Sequence, residues 1–135
     1  MNELPKMDFI IIDDDEVNNM LCQLIIKHAT GGANVEAFIY PKEGLNYIKN
    51  AYSQSPERKE TILFLDVNMP EMDGWEFLEQ FDKLNEDIKS QLRVIILSSS
   101  VNEEDKRRAA ENRYVVNYLV KPLRKETIQS ILSSL

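Results

Sequence analysis

Hydrophobic positions in this chain fall into short unbroken runs, and each run is followed by a stretch of helical period. Phe9-Ile10-Ile11-Ile12 is a β-branched run ending in Asp13-Asp14-Asp15-Glu16, which predicts a buried first strand opening into an acidic turn. From Val17 the period changes. Val17, Met20, Leu21, Leu24, Ile25 and His28 fall at helical spacing, which predicts a helix with that stripe facing inward and His28 packing at its edge. Asp14 or Asp15 can cap it, the acidic turn suits its positive end, and Gly31-Gly32 stops it. Val35 to Ile39 reads as a short second strand, and Pro41 stands near the first position of a second helix with Leu45, Ile48 and Tyr52 inward.

Ser53 to Glu60 is polar, contains Pro56 and reads as a loop. The apolar run Thr61 to Leu65 predicts a buried third strand, which must end at Asp66 because Pro70 and Gly74 follow. Trp75, Phe77, Leu78, Phe81 and Leu84 give the inward stripe of a third helix. Arg93 to Leu97 is the fourth strand, ending in Ser98-Ser99-Ser100. Ser100 and Glu103 have capping-box spacing, which predicts a fourth helix from about Val101 to Asn112. It is so polar that most of its surface should be solvated and the helix loosely held, with Lys106, Arg107 and Arg108 as a solvated face. Val115 to Val120 is the fifth strand, ending in Lys121-Pro122, and Ile128, Ile131, Leu132 and Leu135 stripe a last helix.

Strands that alternate with helices must run parallel, joined by right-handed crossovers with helices on both faces. The predicted fold is therefore α/β, a doubly wound five-stranded parallel sheet in the order 2-1-3-4-5, flavodoxin-like, with its switch point between strands one and three. Neither an internal repeat nor a linker interrupts the pattern, so residues 1–135 are read as one domain.

Composition narrows the function. With 43% hydrophobic and 29% charged residues the chain is globular, and its apolar runs are too short to cross a bilayer. The start of the chain lacks a signal-peptide pattern, and Cys22, the sole cysteine, reads as a small buried hydrophobe, so a cytoplasmic location is expected. A net charge of -7 argues against nucleic acid as a partner, because nonspecific affinity for phosphate backbones comes from Lys and Arg.

Four predicted strand ends supply a chemical inventory: Asp13 and Asp14, then Asp66, then Ser98, then Lys121. Three carboxylates converging on one crevice repel one another, and a hard divalent cation with oxygen ligands neutralises them. Neither His nor thiolate stands beside them, which favours Mg²⁺ or Mn²⁺ over zinc. A hydroxyl at Ser98 and an ammonium at Lys121 can hold phosphoryl oxygens that a metal does not reach.

On Ile12-Asp13-Asp14, Asp66-Val67-Asn68-Met69-Pro70-Glu71-Met72-Asp73-Gly74, Leu97-Ser98-Ser99 and Tyr118-Leu119-Val120-Lys121-Pro122, the chain resembles the receiver domain of two-component response regulators, and in particular the single-domain chemotaxis type. The resemblance implies that Asp66 is a phosphoacceptor, that Asp13, Asp14, Asp66 and the Asn68 carbonyl hold Mg²⁺, and that Lys121 and Ser98 bind the phosphoryl group. It also implies a cis Lys121-Pro122 bond and a Tyr118 whose rotamer follows the Ser98 contact. The implied partners are a sensor histidine kinase or histidine phosphotransfer protein and a downstream protein target, with the chain a monomer or weak dimer. Three features depart from the family: Ser98 where Thr is commoner, Asn112-Arg113-Tyr114 where Gly and Ala are usual, and Arg124 where a capping hydroxyl is common.

The leading expectation is a phosphorylation-dependent switch that presents the fourth helix, fifth strand and fifth helix to a partner, not an enzyme with turnover. With no output domain after Leu135, action is expected through docking, relay or a phosphoryl sink. The alternatives are a phosphorylation-independent adaptor and a phosphohydrolase of the haloacid dehalogenase type, which wants Asp where Asn68 stands. A calcium loop is disfavoured, since Pro70 and the late Gly74 do not fit the EF-hand pattern.

Overall fold

The computed structural model describes residues 7–53, 60–99 and 101–134. Five β-strands, β1 (Met7–Ile12), β2 (Val35–Phe38), β3 (Glu60–Leu65), β4 (Leu92–Ser98) and β5 (Val115–Val120), form one parallel sheet in the order β2-β1-β3-β4-β5. The order and direction are those the hydrophobic pattern predicts. Phe9 to Ile12, Ile62 to Leu65 and Val94 to Leu97 are buried on both faces of the sheet, which explains why they read as unbroken apolar runs.

Alternate residues of each central strand serve different cores. Ile10, Ile12, Leu63, Leu65, Val94 and Ile96 face α2 (Pro41–Ser53), α3 (Gly74–Asp82), a one-turn α4 (Glu86–Lys89) and α5 (Glu103–Glu111). Phe9, Ile11, Ile62, Phe64, Ile95 and Leu97 face α1 (Glu16–Thr30) and α6 (Lys125–Ser133). A fully buried Ile, Leu or Phe contributes roughly 1.5–3 kcal/mol relative to an exposed one, so these two layers carry the stability of the fold. Register then places the chemistry. Ile12 lies opposite Leu65 and Leu65 opposite Ile96, so Asp13 and Asp66 leave the same edge of the sheet; Ser98 pairs with Val120, immediately before Lys121.

Helix boundaries follow the capping chemistry closely. Asp15 caps α1 by accepting from the Asn18 N–H, and Gly31 and Gly32 end the helix at positive φ, 74° and 107°. Pro41 opens α2, whose Ile48 and Tyr52 point inward. Asp73 and Glu76 form a reciprocal capping box at the start of α3. The helix after β4 starts later than its sequence suggests: Asn102 caps it by accepting from the Asp105 N–H, and Ser100 lies outside the described residues. The α4 turn has no apolar stripe in the sequence; Ile88 alone supplies its buried anchor, with the aliphatic stem of Lys89 beside it. Arg124 precedes α6 without a side-chain cap, and Leu135 and residues 54–59 also fall outside the described region.

The inward face of α1 is the main correction. Val17, Met20, Leu21 and Leu24 are 65%, 59%, 53% and 65% exposed, and His28 is exposed too. The residues that face the sheet are Asn19, Cys22 and Ile26, with Ile25 and Ala29 beside them. Apolar packing and a polar contact share this face. The Asn19 amide donates to the Asp13 carbonyl at 2.9 Å on the same side of the helix that packs Cys22 and Ile26 into the core, and the stripe with Val17, Leu21 and Leu24 is left in solvent.

Gly74 is required by close approach. A Cβ there would lie 2.7 Å from the Asp66 carbonyl oxygen and 2.8 Å from Val67 Cα, both backbone atoms that cannot step aside. At Gly44 the atom in the way is the Ile12 Cδ1 at 2.6 Å, the end of a side chain that can turn. Gly74→Ala is expected to destabilise the protein by about 2–3 kcal/mol, the upper range for overpacking. Gly44→Ala should cost about 1 kcal/mol or less, because alanine's helix propensity offsets the crowding. Urea denaturation of the two variants checks the difference.

A candidate phosphoryl and metal site at the carboxyl edge

Each element contributes to the crevice from its carboxyl end. After Ile12 the chain leaves β1, and the Asp13 N–H donates to the Phe38 carbonyl at 3.1 Å, tying the first loop to β2. After Leu65 the Asp66 N–H donates to the Ile12 carbonyl at 3.0 Å, tying the two central loops together. The Lys121 N–H donates to the Ser98 carbonyl at 2.7 Å, and the Lys121-Pro122 bond is cis. Three strand ends are therefore fixed by backbone before any side chain is considered.

The side chains converge. Ligand oxygens of Asp13, Asp14 and Asp66 lie within 4.8 Å of one another, the one such acidic cluster among the described residues. Asp13 is 2% exposed and Asp66 5%, whereas Asp14 is exposed and forms the outer lip. Lys121 Nζ sits 2.5 Å from Asp13 Oδ2 and 3.9 Å from Asp66 Oδ2, so the lysine rests on the first carboxylate and reaches toward the second. Ser98 is fully buried at the end of β4, and Asn68, two residues past Asp66, is exposed at the mouth. The Asn68 N–H donates to Asp66 Oδ1 at 3.3 Å. Tyr118 is half-buried and packs against the cluster containing Ile96 and Ala109.

Two residues at this site carry no obvious sequence signal. Asn18 donates to Asp13 Oδ2 at 2.8 Å, sharing that oxygen with Lys121, while the Asp15 N–H takes Asp13 Oδ1 at 2.9 Å. Asn19 holds the Asp13 carbonyl from beneath. Their trace is a pair of amides in the first turn of a helix that otherwise presents apolar residues, and they fix the geometry of the most buried acid.

Burial, then the charge of Asp13, pushes the Asp66 carboxyl up to about 6, against the opposing pull of Lys121 and the Asn68 N–H. Burial on its own would lower the Lys121 ammonium; its hydrogen bond to Asp13 and the charges of Asp13, Asp66 and Asp15 together outweigh this and hold it above its ordinary value. The crevice thus carries more negative charge than one lysine neutralises. Its donor set fits a hard divalent cation, being all oxygen and partly open to water. Lys121 lies between Asp13 and Asp66, and Ser98 ends the strand that pairs with the one leading into Lys121.

Comparison with known proteins agrees with this geometry. Residues 9–133 match the family model described as the response regulator receiver domain. A response regulator receiver protein from Dyadobacter fermentans superposes with a TM-score of 0.84 at 26% identity, covering 95% of this chain and 96% of that one. A two-component response regulator from Cytophaga hutchinsonii gives 0.82 at 24%, covering 97% and 99%, a likeness of fold. The response regulator Rcp1 of Synechocystis is 28% identical over 106 residues, which is 75% of this chain and 67% of that protein. With its sheet order, its acidic crevice and the family match over 9–133 in agreement, this chain belongs to the response regulator receiver domain family.

Proposed function

We propose that this receiver accepts a phosphoryl group on Asp66 and converts it into a change of its α5–β5–α6 surface. The observation that carries the reading is the convergence of Asp13, Asp14 and Asp66 within 4.8 Å, with Lys121 Nζ 3.9 Å from Asp66. In the transfer a carboxylate oxygen of Asp66 attacks phosphorus. The bond from phosphorus to the donor, an imidazole nitrogen or an acyl oxygen, breaks, and the donor leaves with the electron pair. Asp13, Asp14, Asp66 and the Asn68 carbonyl would hold Mg²⁺ or Mn²⁺, which when bound neutralises charge on the carboxylates and phosphoryl oxygens. Asn18 and the Asp15 N–H keep the Asp13 carboxylate in place throughout.

The product carries new negative charge beside a lysine that rests on Asp13. Lys121 moves toward the phosphoryl oxygens, and the Ser98 hydroxyl donates to one of them. Each charge-assisted hydrogen bond is worth about 1.5–3 kcal/mol. A full reversal of a 1:99 equilibrium needs about 5.5 kcal/mol, so roughly two to four such contacts suffice. Tyr118, half-buried and paired with Ile96 two residues before Ser98, lies where that movement would be felt.

The donor is read as a phosphohistidine on a histidine kinase or phosphotransfer protein. Asp66 is buried at the base of the crevice, so such a donor must cover the rim to reach it. The rim continues directly into the exposed apolar strip Val17, Met20, Leu21 and Leu24 of α1, which a docked donor would bury. The haloacid dehalogenase alternative finds Asn68 where it needs a second acid.

Three outcomes test the reading. Incubation with acetyl phosphate and Mg²⁺ should add one phosphoryl mass to the chain, lost without metal and lost in Asp66→Asn; no adduct after rapid quenching would favour a phosphorylation-independent adaptor. Leu24→Glu should slow transfer from a phosphohistidine donor by tenfold or more while leaving labelling by acetyl phosphate unchanged, roughly the effect of losing one buried leucine at an interface. Charge repulsion gives a pH signature. Because the folded protein holds the Asp66 proton up to about 6, the stability this group adds at low pH is lost as pH rises from its ordinary 3.8 through about 6. Metal-free Asp66→Asn should therefore gain on the wild type across that window, by about 1–2 kcal/mol above pH 7. Urea denaturation in EDTA measures the gap, and Mg²⁺ should narrow it.

A further inference from the structure

The fold holds α5 by polar contacts instead of an apolar face. Ala109 is its one buried residue. At its N-terminal half the helix meets Trp75, the second residue of α3, which is 7% exposed. The indole N–H donates to Asp105 Oδ1 at 3.1 Å, and the Arg108 guanidinium carbon lies 4.9 Å from the ring centroid. Asp105 and Arg108 are one turn apart and grip the same ring, one at its edge and one at its face.

The other end of the helix is anchored differently. Tyr114, just beyond α5, donates to Asp82, accepts from Lys89 Nζ at 3.1 Å and packs edge-on against Phe81 at 5.2 Å. That end is tied to both α3 and α4, whereas the N-terminal half meets α3 through the Trp75 indole. The indole also borders the phosphoacceptor loop. A cleft of about 420 Å³ lined by Val67, Asn68, Pro70, Trp75 and Arg108 joins the two, and the Gly74 N–H donates to the Val67 carbonyl at 3.0 Å.

We propose that Trp75 is a latch that sets the threshold of the switch, holding the N-terminal end of α5 against α3 until phosphorylation at Asp66 pulls it away. This rests on the reading of Asp66 as phosphoacceptor. Ser98 stands five positions before Glu103, so drawing Ser98 toward a phosphoryl group pulls on the end of the helix that carries Asp105 and Arg108. The helix pivots about the Tyr114 anchor as the two side chains leave the ring. By linkage, whatever weakens the clasp strengthens binding of a phosphoryl mimic by the same factor as it favours the released form.

The test uses the full chain with beryllofluoride and Mg²⁺ as a phosphoryl mimic. Calorimetry gives the affinity, and the emission of Trp75, the single tryptophan, reports release. Asp105→Ala and Arg108→Ala should each bind the mimic about five- to tenfold tighter, as expected from losing a charged hydrogen bond or a cation–π contact. The wild type should change its Trp75 emission on binding, and Lys106→Ala, on the same helix outside the clasp, should match the wild type. The two variants remove separate contacts, one at the edge of the ring and one at its face, so poor folding of one leaves the other informative. Wild-type affinity in both variants, or equal tightening in Lys106→Ala, overturns the latch. A wild type that neither binds the mimic nor takes a phosphoryl group from acetyl phosphate overturns the underlying reading of Asp66 instead.

Discussion

The carboxyl edge of the sheet is organised by a repulsion that the fold enforces. Asp13 and Asp66 would separate in a flexible chain, yet they follow neighbouring central strands whose register is fixed by buried Ile12 and Leu65. Backbone hydrogen bonds from Asp13 to Phe38 and from Asp66 to Ile12 remove the freedom to relax. One ammonium, Lys121, is shared unequally between the two acids. A site held in this condition is stabilised by added positive charge and is sensitive to where the lysine rests.

How far the sequence revealed this depends on the kind of information each feature carries. The central strands were legible because burial on both faces produces continuous apolar runs, and the site was legible because each run stops at a polar residue. Asp13, Asp66, Ser98 and Lys121 are all read from the same rule, and the structure brings them to one edge. The α1 face was not legible. The stripe Val17, Leu21 and Leu24 is the one left in solvent, while the sheet takes the smaller set of Cys22 and Ile26 together with the Asn19 amide. Two faces of this helix carry apolar residues at helical spacing, and periodicity alone does not choose between them. The clasp between Trp75 and Asp105 was equally hidden, since thirty residues separate its members and each reads locally as something else: core for the ring, solvated charge for the helix.

The helices on the two sides of the crevice show the same principle in opposite forms. On one side α1 has more apolar surface than the sheet can cover and turns the excess outward beside the acidic rim. On the other, α5 has almost none to bury and is held by an indole, a guanidinium and a carboxylate. The first arrangement leaves apolar side chains in solvent on the helix that follows the acidic turn. The second leaves a helix whose attachment can be undone one contact at a time, without opening a hydrophobic core.

β5 closes the sheet on one side with an irregularity. Val94 pairs with Val115 but Ile95 pairs with Asn117, so Val116 is an extra residue in the ladder and stands 60% exposed. A flat outer strand with Val116 and Val120 at the surface would offer its open peptide groups to a neighbouring molecule as a template for endless stacking. The extra residue bends and twists the strand and breaks the regular spacing of those groups. An exposed apolar border on the outer strand is thereby kept from the flat geometry that a fibril needs.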